Sequence, residues 1–90
     1  MFGHDDPTDV VLGWLINDPD NFNYAVKLVA EWTDEGSTPD NILSDLESYL
    51  RETLDTASSY TRAGKCRSRL ADSELSQVEW QAVLDRINDN

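Results

Sequence analysis

Apolar residues along this chain recur mainly every three to four positions, which is a helical pattern. The first run, Val10 to Ile16, is apolar on nearly every side apart from Gly13. A run of that kind suits a central helix or a buried strand. The preceding Asp6-Pro7-Thr8-Asp9 supplies an N-cap, a proline for the first helical position and an acid for the first turn, so it selects a helix over about 7–17.

Asn17-Asp18-Pro19-Asp20-Asn21 ends that helix and starts the next, expected over 20–35. Projected at 100° per residue, Phe22, Ala25, Val26, Leu28, Val29 and Trp32 share one side of it, with Asp20, Lys27, Glu31 and Asp34 on the other. Gly36 is a natural stop. Thr38-Pro39-Asp40 repeats the cap-then-proline start, and a third helix follows over 39–56. Its stripe is Ile42, Leu43, Leu46, Tyr49, Leu50 and Leu54, opposite Asp40, Asp45, Glu47, Glu52 and Asp55.

The polar run Thr56 to Gly64 breaks the pattern, and a basic helical stretch is expected over 66–74. Ser76-Gln77-Val78-Glu79 reads as a capping box opening a last helix over 77–88, with Trp80, Val83, Leu84 and Ile87 on one face. Short connections between such helices predict an all-α fold, a compact antiparallel bundle of four to five short helices in a single domain over 1–90.

Composition narrows the function classes. With 90 residues there is room for one core. Eighteen acids against seven Lys and Arg give a net charge of −11. The imbalance is uneven: Met1 to Tyr60 holds 13 acids with only Lys27 and Arg51, whereas Thr61 to Arg69 holds Arg62, Lys65, Arg67 and Arg69 with no acid. Such a field repels nucleic acid and anionic lipid and attracts basic protein surfaces. Three Trp, three Tyr and two Phe argue for a packed fold against a disordered acidic chain. Each Trp falls on the apolar side of its helix and is expected in the core. The opening MFGHDDP lacks the basic start and apolar run of a leader, and no apolar stretch approaches a membrane span, so a soluble cytoplasmic protein is expected.

Parts for catalysis are missing. His4 is the single histidine and falls at the chain's start, and Cys66 has no histidine near it in sequence. One cysteine allows no internal disulfide and no thiolate metal site, and no cofactor site is expected. Counted as a calcium loop from Asp18, the sixth position is Asn23 and the twelfth Val29, so the glycine and glutamate of such a loop are absent. A helix-capping turn explains that stretch. The positive charges around Cys66 would lower a thiol's pKa, but a packing role weighs more. The basic segment itself is read as pairing with the chain's own acids or with the acidic face of a second copy.

The acidic helix backs remain: Asp40, Asp45, Glu47, Glu52 and Asp55 on the third helix, with Glu31, Asp34 and Glu35 ending the second. Carboxylates three, four or seven residues apart on a helix lie roughly 5 to 10 Å apart, comparable to phosphate separations along a nucleic-acid backbone. These eight residues are the expected partner-binding set for a basic nucleic-acid-binding protein. The competing explanation is that acidity serves only solubility or adaptation to high salt.

Thr8-Asp9-Val10-Val11-Leu12-Gly13-Trp14-Leu15-Ile16-Asn17-Asp18, followed by Tyr24, resembles the opening of small phage- and plasmid-encoded proteins of unknown function with a T-W-x-x-A-L-W-I-x-N-D stretch. Leu75 to Leu84 is similar to their late L-S-x-V-x-W helix. Asp9 stands where those proteins carry Trp, and Gly13 where they carry a bulkier residue. The resemblance implies a mobile-element origin and, by analogy with anti-CRISPR proteins and restriction inhibitors that imitate DNA, a counter-defence role against a host defence effector. The alternative is a structural or regulatory phage protein working through an apolar patch or a homodimer.

Overall fold

The structure, a computed structural model, describes residues 6–89, so the expectations for Phe2 and His4 lie outside the described residues. Among the described residues there are six helices and no strand: α1 (Pro7–Ile16), α2 (Pro19–Asp34), α3 (Pro39–Thr56), α4 (Arg62–Ser68), α5 (Asp72–Leu75) and α6 (Trp80–Asn88). The all-α bundle expected from the periodicity is what forms. It measures 39 × 24 × 22 Å.

The three proline starts are used as read. Pro7, Pro19 and Pro39 each sit in the first turn, where a missing N–H costs nothing. Asp6 Oδ1 accepts from the Thr8 N–H at 2.8 Å, and Thr38 Oγ1 from the Asn41 N–H at 3.2 Å. Gly36 closes α2 at φ +85°, with its N–H donating to the Thr33 carbonyl and the Ser37 N–H to the Trp32 carbonyl. That pair of bonds satisfies two carbonyls the helix end would otherwise leave open.

α1 is apolar nearly all round because it packs against α2, α4 and α6 at once. Val10, Val11, Trp14 and Leu15 are buried along it. α3 meets α2, α4 and α6, and its Ile42, Leu46, Leu50 and Leu54 form the opposing side of the core. Trp14 and Trp80 are buried as expected, whereas Trp32 is half-buried and packs at the core's margin.

The segment expected as one helix over 66–74 is two pieces, α4 and α5, bent at 69–71. Leu70 and Leu75 are both buried. At 100° per residue these two positions point about 140° apart, so one straight helix could not sink both into the same core. The bend also carries the capping: the Glu74 side chain accepts from the Ala71 N–H at 3.0 Å.

The expected Ser76–Glu79 capping box does not form, and the last helix starts at Trp80 instead of near residue 77. Ser76 Oγ turns back to the Asp72 carbonyl, and the Glu79 N–H donates to Thr8 Oγ1 at 2.9 Å. A side chain 71 residues away supplies the acceptor that the local box would have supplied.

Candidate functional site

All eight expected partner-binding carboxylates lie at or near the surface. Glu31, Asp34, Glu35, Asp40, Asp45, Glu52 and Asp55 are exposed, and Glu47 is half-buried. The α2 core face, led by Phe22, Ala25 and Val29, and the α3 stripe force these acids outward, since each helix has only one apolar side.

On α3 the five acids do not make one row. Asp45 and Glu52 are seven residues apart and share one flank, roughly 10 Å apart along the axis at 1.5 Å per residue. Asp40 and Glu47, also seven apart, share the other flank, and Asp55 lies between the two rows. The Gly36 turn joins the acidic end of α2 to the acidic start of α3.

Two of the eight are ion-paired within the molecule. Glu47 Oε2 pairs with Arg51 Nη1 at 3.1 Å, and Asp55 Oδ1 with Arg67 Nε at 2.8 Å. The other six form no ion pair among the described residues.

Arg67 accounts for part of the basic segment as the sequence suggested. Its guanidinium binds Asp55, Asp72 and the Leu70 carbonyl, tying α3 to the α4–α5 bend. The Asp55 hydrogen bond, then that of Asp72, raises its pKa still further.

Arg62, Lys65 and Arg69 take a different place. They rim an open cleft of about 320 Å³ between α1 and α4, whose floor is Val10, Gly13, Trp14 and Cys66. The sequence reading did not find this site. Its one visible trace is a glycine inside an otherwise apolar helix, with a cationic run far along the chain and no local cue linking the two.

Cys66 is no thiolate. Its side chain is buried with Sγ 3.9 Å from the Val10 carbonyl oxygen, and desolvation lifts its pKa from 9.0 to about 11 against the opposing pull of Arg69. Positive neighbours in sequence lose to the missing water. Asp18, considered above as a calcium ligand, is buried and accepts from the Trp14 indole N–H at 3.1 Å and the Asn21 amide at 2.8 Å. Among the described residues no cluster of His, Cys, Asp or Glu could hold a metal, and no helix is long and apolar enough to cross a membrane.

Compared with models of protein families, with curated proteins and with solved structures, the chain matches none of them.

Proposed function

We propose that this protein acts without catalysis, by presenting the carboxylates of α2 and α3 in place of a nucleic-acid backbone to a basic DNA- or RNA-binding surface of another protein. The observation that carries this reading is the set of six exposed carboxylates, Glu31, Asp34, Glu35, Asp40, Asp45 and Glu52, that no cation of the chain neutralises among the described residues. Charges without internal partners can turn to a basic surface with no ion pair to break first, and complementary fields speed the encounter. They are mounted on helices fixed by the core, so the charged surface is held in shape before binding. Association would displace counterions from the partner's basic channel and weaken steeply with salt. The resemblance of the two chain ends to phage- and plasmid-encoded proteins supplies the setting: a counter-defence inhibitor of anti-CRISPR or anti-restriction type, working on a host defence effector in the cytoplasm.

A second reading has its own observation. Ile16 is 52% exposed and lines a small cleft with Pro19, Phe22, Asn23 and Arg86, a patch suited to an apolar contact or a homodimer. A mobility-shift assay with a purified DNA-binding defence effector separates the two. The acidic reading expects the chain to displace DNA at low salt, and Asp45→Lys with Glu52→Lys to weaken displacement about tenfold or more while helicity stays unchanged. Displacement that survives the double reversal, or that is equal at low and moderate salt, sinks it. Loss of displacement on Ile16→Asp alone supports the apolar reading.

A further inference from the structure

The cleft between α1 and α4 stands apart from the acidic faces in both charge and shape. Its rim places Arg62 and Lys65 three residues apart on one side of the seven-residue α4, with Arg69 at the cap just beyond its C-terminal end. Like charges at that spacing destabilise a helix, and neither Arg62 nor Lys65 forms an ion pair among the described residues. Acids are abundant in this chain, yet none is set on α4 to relieve the repulsion.

The floor is apolar and held in place. Trp14 is locked by its indole hydrogen bond to Asp18, and Val10 and Cys66 are buried beside it. Gly13 keeps the floor open. It has an ordinary helical φ, and a Cβ built there meets nothing within 4 Å, so neither backbone conformation nor close packing requires glycine. Glycine inside a helix costs about 1 kcal/mol relative to alanine. Lack of a side chain at Gly13 does one visible thing, which is to leave the space above Trp14 unfilled.

We propose that this cleft binds a small aromatic anion, one or two rings bearing a carboxylate or a phosphate. The rings would lie over the Val10, Gly13 and Trp14 floor, and the anionic group would reach the Arg62–Lys65–Arg69 rim. A volume of about 320 Å³ sits at the small end of ligand pockets and suits a ligand of that size. The site faces an opposite charge from the acidic surface proposed above, and stands or falls independently of it.

Calorimetric titration tests it with 2-naphthoate, 2-naphthyl phosphate and the uncharged 2-naphthalenemethanol. One saturable site is expected for either anion, with the neutral compound at least about tenfold weaker. Comparing the two anions identifies the preferred head group. Gly13→Leu should abolish binding by filling the floor, and Arg62→Gln with Lys65→Gln should weaken the anions about tenfold and leave the neutral compound unchanged. Circular dichroism of each variant confirms the fold, and the charge variant keeps the test intact should Gly13→Leu fail to fold. The proposal is overturned if neither anion saturates below about 1 mM, if the neutral compound binds equally, or if both variants bind as the parent does. Binding of an oligoglutamate peptide that Arg62→Gln with Lys65→Gln weakens, with no binding of naphthoate, would instead assign the cleft to an acidic protein segment, and equally overturn it.

Discussion

Arg62, Lys65, Arg67 and Arg69 surround Cys66 in sequence, a setting that favours the thiolate, and yet burial wins and pushes the thiol's pKa up to about 11. The difference has a consequence for stability. Between pH 9.0 and about 11 the unfolded chain gives up this proton while the folded chain keeps it, so the unfolded state is favoured increasingly across that window. Stability contributed by the buried neutral thiol is complete below the unfolded value and is lost as pH rises toward the folded one. Denaturant melts at pH 8, 9, 10 and 11 should show a shallower decline for Cys66→Ala than for the parent. Equal slopes would show that Cys66 does not govern this window. Asp18 makes the same point about local reading. Its position before Pro19 marks it as a helix cap, which it is, but its carboxylate makes no cap bond and serves the indole of Trp14 one turn earlier. The four-residue spacing was present in the sequence; the need of a buried indole N–H for a partner appears only once the core is closed.

Elements were legible to different degrees, and two glycines show why. Gly13 and Gly64 both lie inside helices and look alike in sequence. A side chain at Gly13 would enter open space, whereas one at Gly64 would collide with the Ser58 carbonyl, against which the first turn of α4 is pressed. Gly13→Ala should therefore stabilise the protein by up to about 1 kcal/mol. Gly64→Ala should destabilise it by about 1–3 kcal/mol. Thermal melts of both variants check the contrast, and it fails if the two shift in the same direction. Helices α1, α2 and α3 could be read because a cap residue and a proline open each, and in α2 and α3 an apolar stripe coincides with them. The 62–79 stretch could not, because its shape answers to remote partners: Arg67 reaches Asp55, the Glu79 N–H takes Thr8, and Leu70 and Leu75 both turn inward. A periodicity rule assumes one straight helix facing one core, and that assumption fails where a short segment must bury residues that point apart.

At the scale of the molecule the charge remains the dominant property. A net charge of −11 on 90 residues, held within a body whose longest dimension is 39 Å, repels itself more in the folded state than in the expanded chain. Added salt should therefore stabilise the fold: from low to about 0.5 M NaCl, a gain of roughly 1 kcal/mol, or a Tm rise of a few degrees. A Tm that is flat or falls with salt would mean that the ion pairs of Arg51 and Arg67, which salt weakens, outweigh the repulsion. Acidity, fold class and the outward placement of the α2 and α3 carboxylates follow from sequence alone, because an amphipathic helix with one apolar side has no other place for a charge. That Asp55 is ion-paired was decided by tertiary structure, since Arg67 reaches it only through the packing of α4 on α3, whereas Glu47 meets Arg51 within one helix. The packing of α4 on α1 brought a cationic run against the floor around Gly13, 49 residues or more away in sequence, and turned a cluster inside an acidic chain into a lined cleft. Periodicity reports which way a side chain faces from its own helix; what it faces depends on the helix that arrives opposite.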